Sequence, residues 1–297
     1  MTTTAAERQA IVPPVRPEFV RGTLDASNIG EIARPLSTWE RVSNITWVRR
    51  VLILVVLAAA WQAYSVPLDN PLLFPTFTET MAALWHSTLS GELPQRCLVS
   101  IKVLLMGYAA GVALAAVLTT FAVSTRIGTD FLSTLTAMFN PLPAIALLPL
   151  ALLWFGLGNP SLVFVLIHSV LWAVSLNTHS GFQSVSETLR MAGTNYGLKG
   201  VRFVMQVLVP AAFPSILTGL KIGWAFAWRT LIAAELVFGT SSGSGGLGWF
   251  IFENRNTLDV ANVFAGLFAV IVIGLFVESV IFRTIENRTV RKWGMQR

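Results

Sequence analysis

The chain has 297 residues, of which 54% are hydrophobic and only 12% charged, with a formal net charge of +6. A soluble domain carries roughly 25% charged residues, so a water-soluble protein is excluded, and the cation excess is read as a topology signal rather than a nucleic-acid footprint. Lone Cys97 excludes an internal disulfide and a cysteine-based metal cluster, and the alternating segments of a β-barrel are absent.

Residues 1–46 are polar and Arg-rich, too long and polar for a cleaved signal peptide. They read as a cytoplasmic tail ending in a short interfacial helix, capped by the Ser37 and Glu40 pattern. A first apolar span runs over about Trp47–Val66. Behind Pro75, Thr76 and Glu79 form a second S/T-x-x-E pattern, which predicts a surface helix of about three turns. Further spans follow at about Leu98–Val123, Phe131–Leu157, Pro160–Leu176, Ala211–Phe238 and Val260–Phe282. The third is broken by NPLPAIALLP, with Pro141, Pro143 and Pro149. Prolines at membrane depth require neighbouring helices to satisfy the freed carbonyls, which predicts a place inside a bundle. The fold class is therefore an all-α polytopic membrane protein of about six transmembrane helices, with a transmembrane domain over 47–285 and a basic tail over 286–297. With the N-terminus inside, sixteen of the 21 Lys and Arg fall on the cytoplasmic side, which satisfies the positive-inside rule and puts both termini in the cytoplasm.

One cytoplasmic loop, 180–210, contains the basic, small-residue island MAGTNYGLKGVRFVMQVLVP at 191–210. SVSE, from Ser184 to Glu187, predicts a capped helix. Gly197 supplies a left-handed stop, KGVRFVMQV continues as a second short helix, and Pro210 opens the fifth span at its favoured first position. Ala192, Gly193 and Gly197 leave room for another surface to approach. On pattern alone, a connecting loop that needs basic residues for topology explains the island equally well.

The island resembles the EAA loop of permease subunits of bacterial ABC importers. Met191-Ala192-Gly193 stand at its start, Gly197 at its glycine, and Val207-Leu208-Val209-Pro210 at its close. Met191 replaces the usual acid, with Glu187 one turn earlier. NPLPAIALLPLALLWFGLG, PAAFPSILTGLKIGWAFAWRTLIAAEL and GGLGWFI are similar to the family's third span, fifth span and last external stretch. The likeness covers about residues 70–285 and is nearest the nitrate/sulfonate/taurine/bicarbonate group. It implies the type I ABC importer permease fold in a bacterial inner membrane. It also implies a second permease copy, two cytoplasmic ATPases and an external substrate-binding protein as partners. Glu187, Ala192, Gly193, Tyr196, Gly197, Leu198, Val209 and Pro210 are then the residues that couple to the ATPase, so a bulky side chain at Gly197 uncouples hydrolysis from uptake. No G-x-x-x-x-G-K-[ST] occurs in the chain, so no cofactor is assigned to it, and ATP and Mg belong to the partner ATPase.

Ionisable groups inside a span need a reason. Arg229, Glu235 and His168 are the candidate substrate-pathway residues, with an anion as the solute. For Arg229 the alternative is an ion pair with Glu235 or Glu278; for Glu235 it is a structural or gating role. His168 and His179 read as satisfied polar residues of a bundle rather than metal ligands, and Lys221 as a structural or snorkelling cation. GTSSGSGG, 239–246, reads as a flexible external linker, and the glycines of GGLG as either turn residues or points of close backbone packing near a docked binding protein. An intramembrane enzyme would require a paired catalytic site, and a channel or secondary transporter would leave the island unexplained. Sulfonate or taurine, nitrate, bicarbonate and organic carboxylates all remain open as solutes.

Overall fold

The computed structural model describes residues 44–238 and 245–294, in which all regular structure is helical. The helix expected behind Ser37 and most of the 239–246 linker lie outside the described residues. The chain divides into two units, Met1–Val56 and Leu57–Arg297. The described part of the first is the beginning of helix α1 (Thr46–Leu68); the second holds everything below.

Helix α2 (Phe77–Leu89) carries the capping box that the sequence predicts: Thr76 Oγ1 accepts from the Glu79 N–H at 3.1 Å, and Glu79 Oε2 accepts from the Thr76 N–H at 2.8 Å. Losing this reciprocal pair in Thr76→Ala is expected to cost about 1 kcal/mol, read as a lower melting temperature of the purified protein with transport retained. Helix α3 (Glu92–Ser124) follows, then α4 (Arg126–Phe139) and α5 (Leu148–Phe155). The last two meet at 87° through the prolines and a 3₁₀ turn at Ala144–Leu147. The third span is thus a corner rather than a kinked rod. Only one face of α5 is inside the bundle: Leu148 and Ala151 are buried, while Leu153, Trp154 and Phe155 are exposed.

Helix α6 (Asn159–Gln183) is the most buried of the long helices. Gly107 and Gly111 of α3 abut Leu166 and Val170 of α6, because small residues let helix backbones close up where lipid removes any hydrophobic drive between them. After α7 (Glu187–Asn195) and α8 (Gly200–Ala211) the chain turns by 81° at Ala212 into α9 (Phe213–Phe238). Pro210 therefore stands in the last turn of α8 and does not open the fifth span. Leu104, Leu166, Val170, Ala227 and Leu231 form the core that α3, α6 and α9 share. Tyr108 Oη donates to the Leu220 carbonyl at 2.9 Å, and Ser169 bonds Thr230 at 3.0 Å.

Helix α10 (Leu247–Asn256) precedes α11 (Val260–Arg291), which passes position 286 without a break. Its end is docked, not free: Val290 is buried beside Leu217, Val277 and Phe282, and Lys221 Nζ meets Glu286 Oε2 at 2.5 Å. That ion pair is the structural role of Lys221. Among the described residues, four helices are long and apolar enough to cross a membrane, and up to six spans result if each bent pair counts as one.

Candidate functional site

The 191–210 island folds as two short helices laid on each other. The expected Ser184–Glu187 capping pair does not form: Ser184 ends α6, with its Oγ donating to the Gly181 carbonyl at 2.8 Å. Ser186 takes the N-cap position without a side-chain bond, and Glu187 is exposed in the first turn. At the other end the left-handed stop is present. Gly197 has φ +75°, its N–H donates to the Thr194 carbonyl at 2.9 Å, and the Leu198 N–H donates to Gly193 at 3.1 Å. These two bonds are a Schellman closure, which places a glycine where a Cβ would be strained. Arg190 ties α7 to the end of α6, donating to the carbonyls of Phe182 at 2.5 Å and Val185 at 3.2 Å.

The three small residues of the island have different surroundings. Gly193 is buried, and a Cβ there would meet Phe203 and Val207 of α8 at 2.9 Å. The room it leaves is filled by its own chain, not held open for a partner. Ala192 and Leu198 are half-buried, as is Val209, while Pro210 is exposed. Gly197 faces outward with nothing near a Cβ, next to Tyr196, which is 86% exposed. Met191, Val201 and Met205 are exposed beside them. Val201 and Met205, one helical turn apart, extend the outward apolar face and were not among the residues the island's small-residue pattern picks out.

Within the helices a second site takes shape. A cavity of about 360 Å³ opens between the α4–α5 corner, α6 and α9, lined among others by Asn140, His168, Trp172, Phe226, Arg229 and Thr230. Arg229 and His168, far apart in sequence, are thus brought together, and Glu235 is not. Arg229 Nε donates to the Ala225 carbonyl at 3.0 Å, and its guanidinium carbon lies 5.2 Å from the Phe226 ring centre, a cation–π arrangement. Among the described residues the ion pairs are Arg96 with Glu92 and Glu253, and Glu286 with Lys221 and Arg291; Arg229 pairs with neither Glu235 nor Glu278. His168 is not the satisfied bundle histidine expected: neither ring nitrogen has a hydrogen-bond partner among the described residues.

Residues 103–291 match the family described as the binding-protein-dependent transport system inner membrane component. The chain belongs to this family. It is similar to a putative ABC transporter permease of Methanocaldococcus jannaschii, 29% identical over 80% of this chain and 90% of that protein. It is also similar to two proteins of Escherichia coli. One is a putative aliphatic sulfonates transport permease, 30% identical over 76% of this chain and 86% of that one; the other is a taurine transport permease, 28% identical over 79% and 85%. The protein is an ABC importer permease, a multi-pass inner-membrane transport subunit whose helices form the permease fold.

In this permease Glu235 has a mechanical setting. It is 4% exposed, and both carboxylate oxygens lie 2.8 Å from Ser100 Oγ. Gly248 N–H donates to the same carboxylate at 2.8 Å, and Leu247 N–H donates to Ser100 Oγ at 2.7 Å. Glu235 and Ser100 therefore satisfy the first N–H groups of α10, whose own N-cap, Gly246, has no side chain to do so. The GGLG glycines permit this approach: a Cβ on Gly248 would meet the Ile232 carbonyl at 2.7 Å. Gly246 and Gly248 pack closely against Glu235 of the permease's own α9. Arg96 fastens the same helix from outside, donating to the Gly245 carbonyl and to Glu253, each at 3.1 Å.

Proposed function

We propose that this permease passes a small organic anion of the sulfonate class inward by alternating access, driven by a separate ATPase that seats on the α7–α8 element. Two copies of the chain enclose the route. Two cytoplasmic ATPases bind the ATP and Mg, and an external binding protein delivers the solute. Both termini lie in the cytoplasm, as the distribution of Lys and Arg favours.

The observation that carries the anion reading is Arg229 lining the cavity of about 360 Å³, which has no carboxylate among its lining residues; a neighbouring cavity is lined by both Arg229 and Glu278, without an ion pair between them. An unpaired cation at membrane depth is costly and marks a pathway. The aromatic walls, Trp172 and Phe226, suit an organic tail better than a bare inorganic ion. The names of the sulfonate and taurine relatives agree with that chemistry. In proteoliposomes holding the assembled importer, Arg229→Gln is expected to lower ATP-driven uptake of taurine or ethanesulfonate by about tenfold or more, the scale of one lost charged hydrogen bond. ATP hydrolysis persists in that variant. Nitrate and bicarbonate serve as competitors in the same assay. Full sulfonate uptake by Arg229→Gln would remove the pathway role of Arg229.

A further inference from the structure

Among the described residues, seven buried side-chain polar atoms have no hydrogen-bond partner in the chain. Buried polar groups are ordinarily satisfied, so a cluster of exceptions needs a cause. Six of the seven belong to Thr136 of α4 and to His168, Trp172, Ser175 and His179 of α6; the seventh is on Trp224. The spacing 168, 172, 175, 179 is i, i+4, i+7, i+11, which places all four α6 residues on one helix face.

Three residues of this face, His168, Trp172 and His179, line two cavities, while Ser175 is fully buried and lines neither. The Arg229 cavity includes His168 and Trp172; a second, of about 440 Å³, is lined by Thr136, His179 and Gln183 among others. Asn140 and Pro141 line both. The strip so formed runs from Arg229 to Gln183, the last residue of α6 before the α7–α8 element. Phe139 covers it at the level of His168 and Trp172. Its ring stacks on Trp172 at 5.4 Å and 12°, and meets His168 edge-on at 6.3 Å. Phe139 is also the final residue of α4, next to the 87° corner about which α4 would swing.

We propose that this strip lines the inner leg of the solute's route on each copy's side, with Phe139 as its lid; the proposal rests on the anion reading above. The indole and hydroxyl groups offer N–H and O–H donors, each neutral imidazole offers one more, and neither cavity is lined by a carboxylate. Such a ladder fits an oxyanion, which only accepts, and repels nothing about it. Parting α4 from α6 uncovers these donors and lets an alkanesulfonate step toward Gln183, held at each rung weakly enough to leave.

The test uses Ser175→Cys in a Cys97→Ser background, assembled with its partners in proteoliposomes and probed with 2-sulfonatoethyl methanethiosulfonate. Labelling is expected to differ between the nucleotide-free and ATP-held states by more than about tenfold, as a shift in the closed population requires. It is slowed by ethanesulfonate and accelerated by Phe139→Ala. Val174→Cys, whose side chain packs on Gly223 of α9, stays unlabelled throughout. A Ser175→Cys protein that transports but is unreactive in every nucleotide state, or that reacts no differently from Val174→Cys, overturns the proposal. Uptake by the wild-type importer is scored separately. Absent sulfonate uptake removes the substrate reading, whereas uptake with an unreactive position 175 sinks the strip alone.

Discussion

Gly193→Leu is expected to abolish ATP-driven uptake, and Gly197→Trp to uncouple hydrolysis from uptake, for two different physical reasons. At Gly193 the added side chain enters the contact with Phe203 and Val207, where even a Cβ sits at 2.9 Å. Overpacking of that kind costs about 1–3 kcal/mol, and α7 and α8 can relieve it only by separating. The stroke of an attached ATPase would then bend the joint between the two helices instead of tilting α9. At Gly197 nothing lies near the Cβ, so Gly197→Ala pays only for the left-handed backbone, about 1–2 kcal/mol. Tryptophan at the same place keeps that cost and adds bulk on the outward face beside Tyr196. Thermal unfolding separates the cases. Gly193→Leu lowers the melting temperature of the permease alone, whereas Gly197→Trp lowers it no more than Gly197→Ala does, yet raises ATP hydrolysed per solute imported. Normal coupling in Gly197→Trp would remove the outward face from the transmission path.

The parts of the fold legible in the sequence are those fixed by local chemistry. Apolar runs of spanning length, the Thr76–Glu79 box and the Gly197 stop depend on residues within a few positions of one another, and all three stand in the structure. The Ser184–Glu187 pattern is equally local and still fails, because Ser184 is recruited to finish the preceding helix. Pro210 fails similarly: the direction of α9 is set by packing around Ala212, which is buried with Phe182 and Leu208. Bringing Arg229, His168 and Asn140 to one cavity required the α4–α5 corner, whose 87° is not encoded by proline count. From the sequence, only His168 and His179 of the orphaned stripe on α6 stand out, and both read as satisfied. What marked it as unusual was the lack of partners, and partners are a tertiary property.

Glu235 gives the second large effect, and it shows best how distant residues can do a cap's work. Its carboxylate is the acceptor for Ser100 and for Gly248 N–H, and Ser100 in turn receives Leu247 N–H across 147 positions of sequence. Glu235→Leu fills the space but leaves a hydroxyl and an amide without their acceptor in a dry site. Each stranded group costs about 1–3 kcal/mol, so a total of about 2–6 kcal/mol is expected for the two. Glu235→Gln keeps an acceptor oxygen for Gly248 and is expected to lose less than about half of that. The readouts are the melting temperature of the purified importer and protease cutting within residues 245–256. Glu235→Leu exposes that stretch, Glu235→Gln does so weakly, and both leave Arg229 and its cavity in place. Because α10 is held to α3 and α9 by this acid and by Arg96, the double variant Glu235→Leu with Arg96→Ala should release α10 more than either change does singly. If Glu235→Leu melts and is cut like the wild type, the carboxylate is not what holds α10, and its burial has to be explained by a role in the solute's passage instead.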